Sequence, residues 1–119
     1  MSDKENKLLE KLKVQPETIV FQDVIAVIDA NYKYSQSAFV NGKGDKLVNN
    51  AAGSNEGSCK IFAFSRLHQL TKIETLHCFG DYYRHDVLGN PEGIDHANIR
   101  AFMESGWEEV SFDSEPLQK

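Results

Sequence analysis

The chain has 119 residues, 40% of them hydrophobic and 26% charged, an ordinary balance for one globular domain spanning 1–119 with a core of its own. Its net charge is -5, with lysines and arginines scattered among acids, so it lacks the basic stripe that a nucleic-acid partner requires. No apolar stretch approaches the length that crosses a bilayer, which excludes a membrane span as well.

The start, "MSDKENKLLEKLK", is polar and has no apolar h-region, and Cys59 and Cys78 show no disulfide-framework spacing. The expectation is a cytoplasmic protein with reduced thiols. The one local basic excess, Lys4, Lys7, Lys11 and Lys13, is offset by Asp3, Glu5 and Glu10. A first amphipathic helix is expected over Asp3 to Lys13, with Leu8, Leu9 and Leu12 along its apolar edge. "VQP" ends it, because the residue before a proline avoids the helical region.

Pro16 suits the first turn of a second helix, expected to run to Asn31. Phe21, Val24, Ile25, Ile28 and Tyr32 keep helical spacing, and Val20 and Val27 add a second stripe. A helix apolar on more than one side packs on more than one side, so this one reads as central.

Periodicity changes in "YSQSAFVNGKGDKLVNNAAG". Its Asn-Gly and Gly-Lys-Gly signals predict a small hairpin or a structured loop, with strands near Ser37–Val40 and Lys46–Val48.

A third helix is expected from Gly57 or Ser58 to Leu70, with Cys59, Ala63, Leu67 and Leu70 on one face and Phe62 and Phe64 beside them. Thr71 opens a fourth, expected to reach Leu88. "TKIE" reads as a capping box, and Ile73, Leu76, His77, Gly80, Tyr83 and Val87 share one face. Gly80 costs about 1 kcal/mol in a helix interior, which predicts close approach of a neighbouring backbone there.

"GNPEG" interrupts the chain. Asp95 is the expected N-cap of a last helix ending at Ser105, with Gly106 in a left-handed position and Trp107 folding back on Phe102. "EEVSF" reads as a short extended segment, and residues 113–119 as a flexible, solvated tail. The fold expected is mainly α: about five helices with a small irregular or β-hairpin insertion between the second and third.

Cys59 raises the sharpest chemical question. At a helix N-terminus the dipole and free N–H groups stabilise a thiolate, and with His96 or His77 as base it would serve a cysteine-dependent hydrolase or transferase. The alternative is that Cys59 simply heads the apolar face and is inert. His77 and Cys78 are neighbours pointing about 100° apart on a helix, and no zinc-ligand spacing occurs, so no metal is expected. "DYYRHD" could be a recognition surface. The favoured reading is one buried tyrosine, one half-buried tyrosine and Arg84 paired with a nearby acid. Glu56, Tyr83, Arg84, Asp95, His96 and Arg100 are the candidate binding residues. If they converge, a small anionic ligand is conceivable.

The blocks "PETIVFQDVIAVIDANY", "NEGSCKIFAF", "ETLHCFGDYYRHDVL", "NPEG", "DHANIRAFM" and "SGW" resemble the HopJ type III effector protein family over Leu8 to Phe112. The resemblance implies a small single-domain bacterial protein. It brings no assigned catalytic residue and no cofactor. Type III secretion follows from the family name alone. The leading expectation is a non-enzymatic domain that binds a small molecule or a protein, as a monomer or weak dimer. The alternative is the cysteine enzyme built on Cys59.

Overall fold

Helix α3, Glu56–Leu67, is the axis of the fold in the computed structural model, which describes residues 3–119. Five consecutive positions, Ile61 to Ser65, are buried, because "IFAF" offers no polar face over a full turn. The Phe62 ring sits 5.0–6.1 Å from the rings of Phe39, Phe79, Phe102 and Trp107, so it joins the sheet, the fourth helix and the last helix. This corrects the expectation that the second helix is central. Helix α2, Phe21–Asn31, fully buries only Val24 and Ile28 and lies to one side of α3.

Helix α1, Asp3–Val14, packs on α2 through Leu8 and Leu12, close to its expected limits. Pro16 does not begin α2. Pro16–Thr18 form a single 3-10 turn, Ile19 and Val20 are extended, and α2 starts only at Phe21. The carbonyl oxygens of Pro16 and Ile19 accept hydrogen bonds from the Arg84 guanidinium, which ties this stretch down, and the Pro16 carbonyl also accepts from the Ile19 N–H to close the turn. The Ile19 side chain meanwhile turns into the core.

The helical character is shared with two small antiparallel sheets. Strands β2, Phe39–Asn41, and β3, Val48–Asn50, form a hairpin with Phe39 opposite Asn50, a residue or two later than expected. A 3-10 turn at Gly44–Lys46 takes up the difference. Strand β4, Ser111–Phe112, joins the free edge of β2, as the extended reading of "EEVSF" anticipates. Strand β1, Lys33–Tyr34, pairs with β5, Leu117–Gln118. The β structure is therefore not confined to an insertion between helices, and the fold is mostly helical with a mixed α/β character. The expectation of a solvated tail fails for the same reason: Leu117 is 2% exposed and its backbone is paired.

The capping box opens helix α4, Lys72–His77, with the Thr71 hydroxyl accepting from the Glu74 N–H at 3.1 Å and the Glu74 carboxylate accepting from the Thr71 N–H at 2.9 Å. The helix does not continue to Leu88. Gly80 has φ +61°, and Tyr82–Val87 form a separate π turn. The close approach expected at Gly80 is present: a Cβ there would lie 2.8 Å from the Phe21 nitrogen. The approach coincides with a break in the helix, because the backbone takes a conformation that only glycine adopts freely.

Helix α5, Ala97–Ser105, is preceded by His96 at φ +51°, so His96 and not Asp95 holds the cap position. At its other end Gly106 has φ +67° and its N–H bonds Phe102. The Trp107 ring stands 5.0 Å from that of Phe102, as the sequence predicts, and its indole N–H donates to the Leu70 carbonyl.

Candidate functional site

Cys59 lies in the first turn of α3 but is 1% exposed, its sulfur 4.0 Å from the Ser37 carbonyl oxygen. Burial pushes its thiol up. The Tyr34 hydroxyl bonded to it opposes that shift, and the Glu56 carboxylate adds to it. The helix dipole is thus overridden by desolvation, and the thiol stays protonated at neutral pH. Cys78 is also buried and pushed up to about 12, mainly by desolvation.

The two histidines considered as bases are engaged elsewhere. His77 holds its Nδ1 3.0 Å from the Arg84 guanidinium and meets the Tyr83 ring edge-on. Burial, then the Arg84 charge, lowers its pKa. His96 bonds Asp86 at 3.0 Å and lies against Tyr82, ring centroids 5.1 Å apart. The Asp86 carboxyl is held below its ordinary range by hydrogen bonds from His85 and then His96.

The six candidate binding residues do not converge. Glu56 accepts from the Tyr34 hydroxyl beside Cys59. Tyr83 is buried under His77, and Arg84 spends its guanidinium on the carbonyls of Pro16, Ile19 and His77 instead of pairing with an acid. Arg100 is 9% exposed and grips the Asp95 carboxylate at 2.7 Å together with the Asp95 and Asn90 carbonyls at 2.6 and 3.0 Å. Asp95 and Arg100 thus staple the "NPEG" loop to α5, which is why Asp95 is not the cap. Of the six, His96 and Arg84 are partly exposed and line open depressions, and these are two different ones. Among the described residues no group of three or more His, Cys, Asp or Glu is placed to hold a metal ion.

Three depressions lie along α2 and beyond its N-terminal end. A groove of about 500 Å³ runs between α1 and α2, with Ile19 and Val20 at its end. A second depression, about 420 Å³, continues past the same two residues to Phe21, Tyr82 and Arg84. A third, about 440 Å³, begins at Phe21, Phe79 and Tyr82 and ends at His96, between the starts of α3 and α5. Shared lining residues make the three one furrow. Val20 and Tyr82, 51% and 41% exposed, stand along it, the Tyr82 ring held between those of Phe21 and His96.

Sequence periodicity gives Val20 and Val27 as a second apolar stripe packed by neighbours. Val27 is half-buried and does pack against the core, whereas Val20 is exposed, and both line the furrow. The missed signal is their company: Ala26 and Ala30, one turn apart on α2, line the same groove with short side chains.

A family model described as HopJ type III effector protein matches residues 5–117, nearly the whole chain, and the chain belongs to that family. It is also similar to the crystal structure of a protein of unknown function, VPA0580, at 46% identity and a TM-score of 0.91, over 99% of this chain and 93% of the other. No curated protein matches it. Among the described residues no helix is long and apolar enough to cross a membrane.

Proposed function

We propose that this HopJ-family chain is a non-enzymatic binding domain for a small molecule or a protein, and that its binding face is the furrow along α2. The observation that carries the reading is the continuity of three depressions through Ile19, Val20, Phe21 and Tyr82. Apolar concave surface with a few polar groups at its edge is the usual form of a ligand or partner site. The cysteine hydrolase or transferase is disfavoured because Cys59 offers neither an exposed sulfur nor a lowered pKa. The reading is the same whether the protein acts where it is made or after type III delivery, since the furrow does not depend on location.

Titrating the isotope-labelled protein with small apolar fragments tests it by NMR. Amide shifts are expected to cluster at residues 19–22, 26–30 and 79–82. Shifts confined to other surfaces, or none, would overturn the reading. In a Cys78→Ala background, Cys59 is expected to react with a thiol reagent only on unfolding. Fast labelling of the native protein would return the enzyme to the front.

A further inference from the structure

The groove between α1 and α2 has one charged edge. Lys4, Lys7 and Lys11 follow at i, i+3 and i+7 on α1, so their side chains form a row about 10 Å long, two turns of helix. The facing wall repeats the spacing on α2 with Asp23, Ala26 and Ala30, joined by Val27, and Asp23 is its only ionisable group. Leu8 and Ile19, 7% and 1% exposed, make the floor.

Four lysines elsewhere are paired, whereas Lys33, Lys43 and Lys72 form no ion pair among the described residues; what distinguishes the row is that its three cations share one edge of a groove. Lys13 pairs with Glu74, Lys46 with Glu104, Lys60 with Asp29 and Lys119 with Glu5. Among the described residues no ion pair is formed by Lys4, Lys7 or Lys11, although the chain carries 18 acidic side chains to 13 basic ones. Three unpaired cations along one side of an apolar trough present a positive edge that favours carboxylates. Ala26 and Ala30 lack the bulk to hold an incoming backbone away, and the row and its facing wall are each two turns long.

We infer that this groove receives about two turns of an acidic amphipathic helix from a partner protein. The helix lays its apolar stripe on Leu8, Val20 and Val27 and turns its carboxylates toward Lys4, Lys7 and Lys11. Asp23 on the opposite wall sets the orientation, since a carboxylate flank placed there meets like charge. The inference rests on the proposed binding face and names the occupant of one end of it.

Three amphipathic peptides of about 18 residues test it. They share one Leu/Ala stripe and carry Glu, Lys or Gln at the flanking positions. Fluorescence anisotropy with the full chain is expected to rank the Glu peptide about tenfold tighter than the Lys peptide at low salt, the gap narrowing at high salt. The triple change Lys4→Glu, Lys7→Glu, Lys11→Glu is expected to reverse that order. Ala30→Trp is expected to abolish binding of the Glu peptide by filling the trough. All these positions are exposed, and circular dichroism checks that each variant keeps its fold.

No preference between the Glu and Lys peptides, or a preference that survives the triple change, would overturn the inference. Binding indifferent to Ala30→Trp would do so too. Two other occupants would show themselves. Saturable binding of sodium dodecanoate with no Glu-peptide binding would give the groove to an acyl carboxylate. A dimer in sedimentation that the triple change dissolves would give it to a second copy of the chain. Either result overturns the partner helix. Fragment shifts in the groove without peptide preference would sink this inference and leave the binding face standing. Fragment shifts elsewhere would sink both.

Discussion

Helix α1 has two faces that treat charge in opposite ways. On the inner face Glu5 is completely buried, and its carboxylate accepts from the Tyr32 hydroxyl at 2.5 Å, with His68 Nε2 at 3.1 Å and the Lys119 ammonium at 3.4 Å. Burial alone would raise that carboxyl. The bonds from Tyr32 and His68 and the Lys119 charge outweigh it, so Glu5 titrates below its ordinary range. On the outer edge Lys4, Lys7 and Lys11 stand in solvent beside an apolar trough with no ion pair among the described residues. A buried charge is tolerated only where its bonding capacity is filled, so the Glu5 cluster is committed to holding the fold together. Exposed cations cost the fold almost nothing, so they are free to serve something outside it.

The comparison can be broken by substitutions on each face. The largest effect is expected from Leu12→Ala, about two turns beyond Glu5 and 1% exposed. The cavity should cost about 2–5 kcal/mol in urea unfolding. Glu5→Gln keeps the shape but removes the charge, leaving Tyr32 and His68 poorly matched. A loss of about 1–3 kcal/mol at neutral pH is expected.

The Glu5 variant also sharpens the contrast through its pH dependence. A carboxyl lowered in the native state binds fewer protons there than in the unfolded chain. Its stabilisation is therefore complete above the ordinary value of 4.5 and is lost as pH falls through the lower native value. The wild-type stability curve should drop in that acid window, and the Glu5→Gln curve should be flatter across it. Equal slopes would mean that the cluster does not hold the carboxylate ionised. Lys4→Ala, Lys7→Ala and Lys11→Ala should each change stability by less than about 0.5 kcal/mol. A larger loss in any of them would show the outer edge to be structural and would remove the contrast.

Both faces of α1 were only half legible in the sequence. Leu8 and Leu12 follow helical period and are buried as that period demands. Glu5 reads as a surface acid offsetting the lysines, because its partners come from positions 27, 63 and 114 residues away. Lys119 belongs to a segment that looks solvated, since a single leucine among polar residues gives no periodic signal. The candidate site was legible in a similar way. Cys59 was correctly placed at the start of a helix, and the reading that it heads an apolar face describes it. Arg84, Asp95 and Arg100 were recognised as polar groups with work to do, but their work is to hold loop carbonyls and one another. Backbone carbonyls leave no trace in residue identity.

The sequence by itself determined what depends on neighbours within about one turn of chain. The starts of α1 and α4, the Thr71–Glu74 box, the left-handed Gly106 with Trp107 on Phe102, and the hairpin between α2 and α3 all rest on such local relations. Tertiary structure alone decided where α2 begins, why α4 stops at His77, that residues 111–118 close both sheets, and that α3 is the axis. The reason is one of range. The Arg84 guanidinium reaches back 68 residues to Pro16, and the Phe21 nitrogen leaves room for nothing larger than Gly80. The furrow has the same origin, since its walls come from α1, α2, the π turn and α5, and it exists only once they are assembled.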